Sequence, residues 1–209
     1  MAFLVADHGR GQADGIIGHG SAGRGVLAMI EDVQLARARA LVEIKRWAQA
    51  ERLLGQVLAR QPALTEAWCL LALSRAGAGR TQAALQAARE AVNCDPGDEW
   101  ALRVLAFQLK AAGHTAEAIE VAARAVTAAP NAWQTHVTQA ESLIAQPTEQ
   151  TLSAARAAID RALELAPEEP SVHLADGNVA AAAGDYQRSR RAWRRALELD
   201  PSDHDAVHN

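Results

Sequence analysis

Several stretches of the chain have residue types and spacings suited to chemistry. Gly15-Ile-Ile-Gly-His-Gly-Ser-Ala-Gly-Arg-Gly25 places Gly18, Gly20 and Gly23 in the G-x-G-x-x-G spacing with which a backbone turn cradles a dinucleotide pyrophosphate. In His204-Asp-Ala-Val-His208 two imidazoles stand four residues apart, a helical spacing that lets both hold one zinc ion. His173 is followed three residues later by Asp176, and His136 occupies a place matching His173, which would allow a catalytic role. Arg188, Arg190, Arg191, Arg194 and Arg195 form a basic stripe suited to phosphate, nucleic acid or an acidic partner.

Each chemistry depends on elements that must hold these residues, and there the sequence argues against it. A dinucleotide loop needs a strand before it, a helix after it and an acid about 20 residues on, at the end of a second strand. Here only Gly-Ile-Ile precedes the loop, and the helical pattern ARALVEIK occupies the place of the second strand. Seven of the 14 glycines lie between residues 9 and 25, which reads as a flexible segment. The nucleophile elbow G-x-S-x-G also fails, because His19 stands where its first glycine belongs. The terminal histidine pair has no third ligand in reach and reads as a frayed terminus. No nucleophile accompanies His136 or His173, which read as partly buried residues satisfying their own hydrogen bonds. The arginine stripe reads as a solvated outer face, with Trp193 pointing inward. No catalytic residue, cofactor or metal site is expected.

Composition agrees with a folded, helical chain. The 209 residues are 49% hydrophobic and 4% aromatic, rich in Ala, with a formal charge of −4 that gives no bulk attraction to nucleic acid or anionic membrane. Lys occurs only at Lys45 and Lys110, a bias towards Arg that points to a GC-rich, bacterial genome. Cys69 and Cys94 are too few for a disulfide framework. MAFLVA lacks the basic flank and length of a signal peptide, and no apolar run approaches the roughly 20 residues that span a bilayer. A soluble, cytoplasmic protein is the expectation.

The organising feature is a repeat. Pro62, Pro96, Pro130, Pro167 and Pro201 are separated by 34, 34, 37 and 34 residues, each closing a helical pattern such as VLARQP, AVNCDP or ALELDP. Five units result: 31–64, 65–98, 99–132, 133–169 and 170–203. Small residues recur twelve positions before each proline (Ala50, Ala84, Ala118, Ala155, Ser189), and Gly79, Gly113 and Gly184 share one turn position. The sequence thereby divides into a glycine-rich segment 1–25, a repeat domain 26–203 and a tail 204–209.

These residues resemble the tetratricopeptide repeat, a 34-residue helix–turn–helix with the pattern W-x2-L-G-x2-Y, A-x3-F and P. The second unit matches best, with Trp68, Leu71, Ala72, Ala84, Ala91 and Pro96; the fifth matches by Gly177, Trp193, Ala196 and Pro201. Arg37, Gln139 and Asp176 depart from the expected Leu, and AQPTEQT lengthens the turn of the fourth unit by three residues. The resemblance implies an all-α, right-handed superhelical solenoid of five hairpins, whose first helices line a concave groove.

In that family positions 2, 5, 9 and 12 of each unit face inward. They are Asp32, Leu35, Arg39 and Val42; Glu66, Cys69, Leu73 and Ala76; Trp100, Arg103, Phe107 and Lys110; Gln134, Val137, Glu141 and Ile144; Ser171, Leu174, Asn178 and Ala181. Aromatic, aliphatic and cationic residues concentrate at Leu73, Trp100, Arg103, Phe107, Lys110 and Val137, the types that dominate binding hot spots. Arg39, Cys69, Gln134, Glu141 and Asn178 complete the expected site. The set that would clamp a C-terminal carboxylate is absent, since Leu35, Arg39, Leu70, Trp100 and Val104 hold those places. The resulting expectation is a non-enzymatic scaffold that binds a peptide or amphipathic helix of another protein, without nucleic acid or membrane insertion. A homodimer through the C-terminal repeat is the alternative, and folding of the apolar MAFLV into the groove would make the chain autoinhibited.

Overall fold

The computed structural model describes residues 22–201, with side chains from Asp32 onward. The glycine loop up to Ser21, the MAFLV segment and the terminal histidine pair lie outside the described residues. Among the described residues every regular element is a helix, and none is long and apolar enough to cross a membrane. The ten helices are α1 (Ala22–Glu43), α2 (Trp47–Arg60), α3 (Thr65–Gly77), α4 (Thr81–Cys94), α5 (Glu99–Ala111), α6 (Thr115–Ala128), α7 (Trp133–Leu143), α8 (Glu149–Leu165), α9 (Pro170–Ala182) and α10 (Tyr186–Leu199). α1 takes in Ala22–Gly25, which the sequence assigns to the glycine-rich segment.

The described residues form two compact bodies, divided after Gln108 inside α5. In the N-terminal body α1 packs on α2 and α3 on α4, while α2 packs on α3 and α1 lies along α3. The C-terminal body repeats the scheme: α7 packs on α8 and α9 on α10, α6 and α8 pack on the first helix that follows each, and α7 lies along α9. Neither helical hairpin could bury its apolar stripe alone, so each body stacks one on the next.

The helix ends follow from the sequence. Before each of the five prolines the chain leaves helical geometry at Gln61, Asp95, Ala129, Ala166 and Asp200, with φ between −127° and −145°. Proline disfavours helical angles in the residue before it, and each of these residues donates its last N–H to the carbonyl four back. At the hairpin turns Gly79, Gly113 and Gly184 adopt φ of 76°, 82° and 78°. The following N–H of each turn reaches back to the carbonyl five residues earlier, which closes the helix in a Schellman pattern.

Lys45 holds the same turn position in the first repeat, with φ 59°, and makes the same closure through Arg46 N–H to Leu41 C=O. Stacking of the hairpin thus imposes the left-handed turn where no glycine eases it. In the fourth repeat the turn spans 144–148, and the extra residues also enter α8, which has 17 residues against 14 in α4. There Thr148 and Thr151 cap each other reciprocally, Thr151 N–H to Thr148 Oγ1 at 3.1 Å and Thr148 N–H to Thr151 Oγ1 at 2.8 Å.

Candidate protein-binding face

The first helices carry the residues expected to meet a partner, and the two bodies treat them differently. In the N-terminal body Arg39 of α1 pairs with Glu66 of α3. Behind that pair Cys69 and Leu73 are wholly buried, and Trp100 and Arg103 are each only 1% exposed. The Arg103 Nε donates to Glu99 Oε2 at 2.6 Å, one turn back on the same helix, while its Nη1 has no partner among the described residues. Both amide atoms of Gln108 are buried without a partner in the same way. Burial, reinforced by Asp98 and Glu66, pushes the Cys69 thiol well above its ordinary range, so it stays protonated and inert.

Trp100, Arg103, Cys69 and Leu73 therefore do not form the open groove floor that their positions imply. They are interior packing residues, with Arg103 turned along its own helix to satisfy part of its charge. Phe107 remains half-exposed.

The C-terminal body keeps this face partly open. Val137 is buried, which also removes it from the expected contact set. Of the other expected positions, Gln134 and Glu141 of α7, Ile144 just past its end, and Ser171, Leu174, Asn178 and Ala181 of α9 are all half-exposed. Lys110 donates to Glu141 at 3.0 Å, tying the end of α5 to α7. Asn178 Oδ1 accepts from the Trp193 indole N–H at 3.2 Å, which fixes the amide from behind. The arrangement offers apolar contact at Ile144 and Leu174 with amide donors and acceptors beside it.

The histidines have a structural task. Trp68 Nε1 donates to the Pro62 carbonyl at 2.8 Å; His136 Nε2 meets the Pro130 carbonyl at 2.8 Å and His173 Nε2 the Pro167 carbonyl at 2.7 Å. A carbonyl only accepts, so both imidazoles carry the proton on Nε2 and serve as shorter versions of the indole. Asp176 turns instead to α10, where Arg188 Nε donates to its Oδ1 at 2.7 Å. Arg188 also reaches Asp160 of α8 at 3.1 Å, so one guanidinium ties three helices together. Burial lifts the Asp176 carboxyl to about 6, opposed by Arg156 and aided by Asp160.

The arginine stripe divides accordingly. Arg188 is half-buried in this cluster and Arg195 pairs with Glu168 at 2.7 Å, whereas Arg190, Arg191 and Arg194 are exposed. Charge alone could not separate these roles; Asp160 and Asp176, both on helices packed near α10, were the available signal. Among the described residues no group of three or more His, Cys, Asp or Glu side chains could hold a metal ion.

Paired helices in tandem, closed by regular prolines and stacked through small residues, define a helical-repeat protein whose surfaces serve for binding. Residues 35–99 and 174–207 match the tetratricopeptide-repeat family model, and these stretches carry tetratricopeptide repeats. No curated protein matches it by sequence. Among solved structures it is similar to a thermophilic tetratricopeptide-repeat protein of Thermus thermophilus, with 21% identity over 85% of this chain and 95% of that one, at a TM-score of 0.73. MamA of Desulfovibrio magneticus RS-1 has 18% identity over 83% and 97%, with a TM-score of 0.61. YrrB, a tetratricopeptide-repeat protein described as having an unusual peptide-binding site, has 15% identity over 90% and 97%, with a TM-score of 0.57.

Proposed function

We propose that the chain is a non-enzymatic scaffold that holds a peptide or helix of another protein on the first-helix face of its C-terminal body. The observation carrying this reading is the half-exposure of Ile144, Leu174, Gln134 and Asn178 in the first-helix positions of the last two repeats. Apolar side chains on such a face supply affinity, and neighbouring amides satisfy the polar groups of an incoming backbone. The Lys110–Glu141 pair and the Trp193–Asn178 bond hold the face in shape before a partner arrives, which lowers the ordering cost of binding. The peptide-binding site attributed to YrrB supports a peptide as the class of partner.

Panning a displayed random-peptide library on the full chain tests this. Selected peptides are expected to lose at least about tenfold in affinity on Leu174→Arg or Ile144→Arg, with helicity preserved by circular dichroism. Peptides that bind these variants as well as the parent would place the site elsewhere.

A further inference from the structure

Thirty-four residues separate Leu152, Arg156 and Asp160 of α8 from Tyr186, Arg190 and Arg194 of α10, so the two trios hold equivalent places on their helices. On α8 the two charged members are engaged by the hairpin that follows. α9 packs on α8, the Arg156 charge acts on Asp176 of α9, and Asp160 accepts from Arg188 of α10 at 3.1 Å. Glu51 of α2 occupies the place of Arg156 with the opposite sign, and it pairs with Arg75 of α3 at 3.2 Å. In both bodies a charge at this place is answered by the opposite charge on the next first helix.

On α10 the trio is open. Tyr186 is 68% exposed and both arginines are exposed. Among the described residues neither arginine forms an ion pair, although Arg156, Arg161, Arg188 and Arg195 of the same body all do. We propose that this face of α10 docks an amphipathic helix of a partner protein that sets a carboxylate against Arg190 and Arg194. Tyr186 is the apolar anchor of that contact. The internal stack supplies the template, because the helix seated on the equivalent face of α8 brings Asp176. A second copy fits poorly: the residue of α1 equivalent to Asp176 is the exposed Arg37, which would meet Arg190 as a like charge. The surface lies on a different helix from the Leu174 face and does not rest on that reading.

The test uses a fluorescein-labelled, hydrocarbon-stapled peptide copying Pro170–Ala183, titrated against the full chain by anisotropy. Binding to the parent is expected, with a loss of at least about tenfold on Arg190→Glu/Arg194→Glu and a similar loss when the peptide carries Asp176→Lys. The reversed peptide is expected to regain affinity for the reversed protein. Both arginines are exposed, so the variant should keep its circular dichroism spectrum, and Arg190→Gln/Arg194→Gln gives the same reading without new charge. No binding, or binding indifferent to the reversals, overturns the proposal. So does a parent dimer that the reversal dissociates in sedimentation, which gives the face to a second copy. A gain in peptide affinity on Asp203→Lys/Asp205→Lys also overturns it, giving the face to the chain's own residues 202–209.

Discussion

The first-helix faces of the two bodies are built from the same repeat positions, yet more of those positions are buried in the N-terminal body than in the C-terminal one. In the N-terminal body Cys69, Leu73, Trp100 and Arg103 disappear into the interior, and even a guanidinium is taken out of water. In the C-terminal body only Val137 follows them, while Gln134, Glu141, Leu174 and Asn178 keep part of their surface. Equivalent register therefore does not guarantee equivalent exposure. Large side chains at Trp100 and Leu73 gain more from burial than the short or polar ones at Ser171 and Asn178. The body that keeps smaller and more polar residues on this face is the one that leaves more of it half-exposed.

The largest expected effect tests the buried positions of the N-terminal body. Trp100→Ala should destabilise the chain by about 3–5 kcal/mol in chemical denaturation, as the loss of a buried aromatic does elsewhere. A variant of near-parental stability would return Trp100 to the binding surface and erase the contrast. Next comes the close helix approach that each body uses. A Cβ on Gly177 would run into the Trp193 indole, and one on Gly77 into that of Trp47. Gly177→Ala and Gly77→Ala should each cost about 1–3 kcal/mol despite the gain in helix propensity, measured by thermal melting.

A smaller effect separates the bodies by pH. Asp176 titrates near 6 in the folded chain, above its ordinary value of 3.8, so the folded state holds this proton more tightly than the unfolded one. Its contribution is greatest at pH below the unfolded value and is lost as pH rises through 6; between pH 5 and 7 the loss is about 1 kcal/mol. Asp176→Asn should flatten that part of the stability–pH curve, and an unchanged slope would assign it to other groups. The smallest effect concerns the first turn. Lys45→Gly should stabilise by about 0.5–1 kcal/mol, since it removes a side chain from a left-handed backbone. A destabilised variant would mean that Lys45 makes contacts that outweigh its φ.

Much of the fold was legible in the sequence because proline and glycine act locally. Pro62, Pro96, Pro130, Pro167 and Pro201 end helices whatever surrounds them, and Gly79, Gly113 and Gly184 occupy the left-handed turns their recurrence indicates. Lys45 was hidden, since nothing in its side chain announces a positive φ. The candidate site was less legible. The repeat register gives Leu174, Asn178, Trp100 and Arg103 the same status on the first helices, but Trp100 and Arg103 are buried, and that burial depends on packing that no spacing encodes. His136 and His173 show a middle case: they share a position with Trp68, yet only the fold brings each ring nitrogen to a proline carbonyl.

The period, the helix ends, the all-α class and the equivalence of positions from repeat to repeat are properties of the amino-acid order alone, because they follow from backbone conformational limits and short-range periodicity. Which equivalent residues are buried and which arginines are neutralised were settled by packing in three dimensions. Those properties depend on side chains distant in sequence competing for the same small volume.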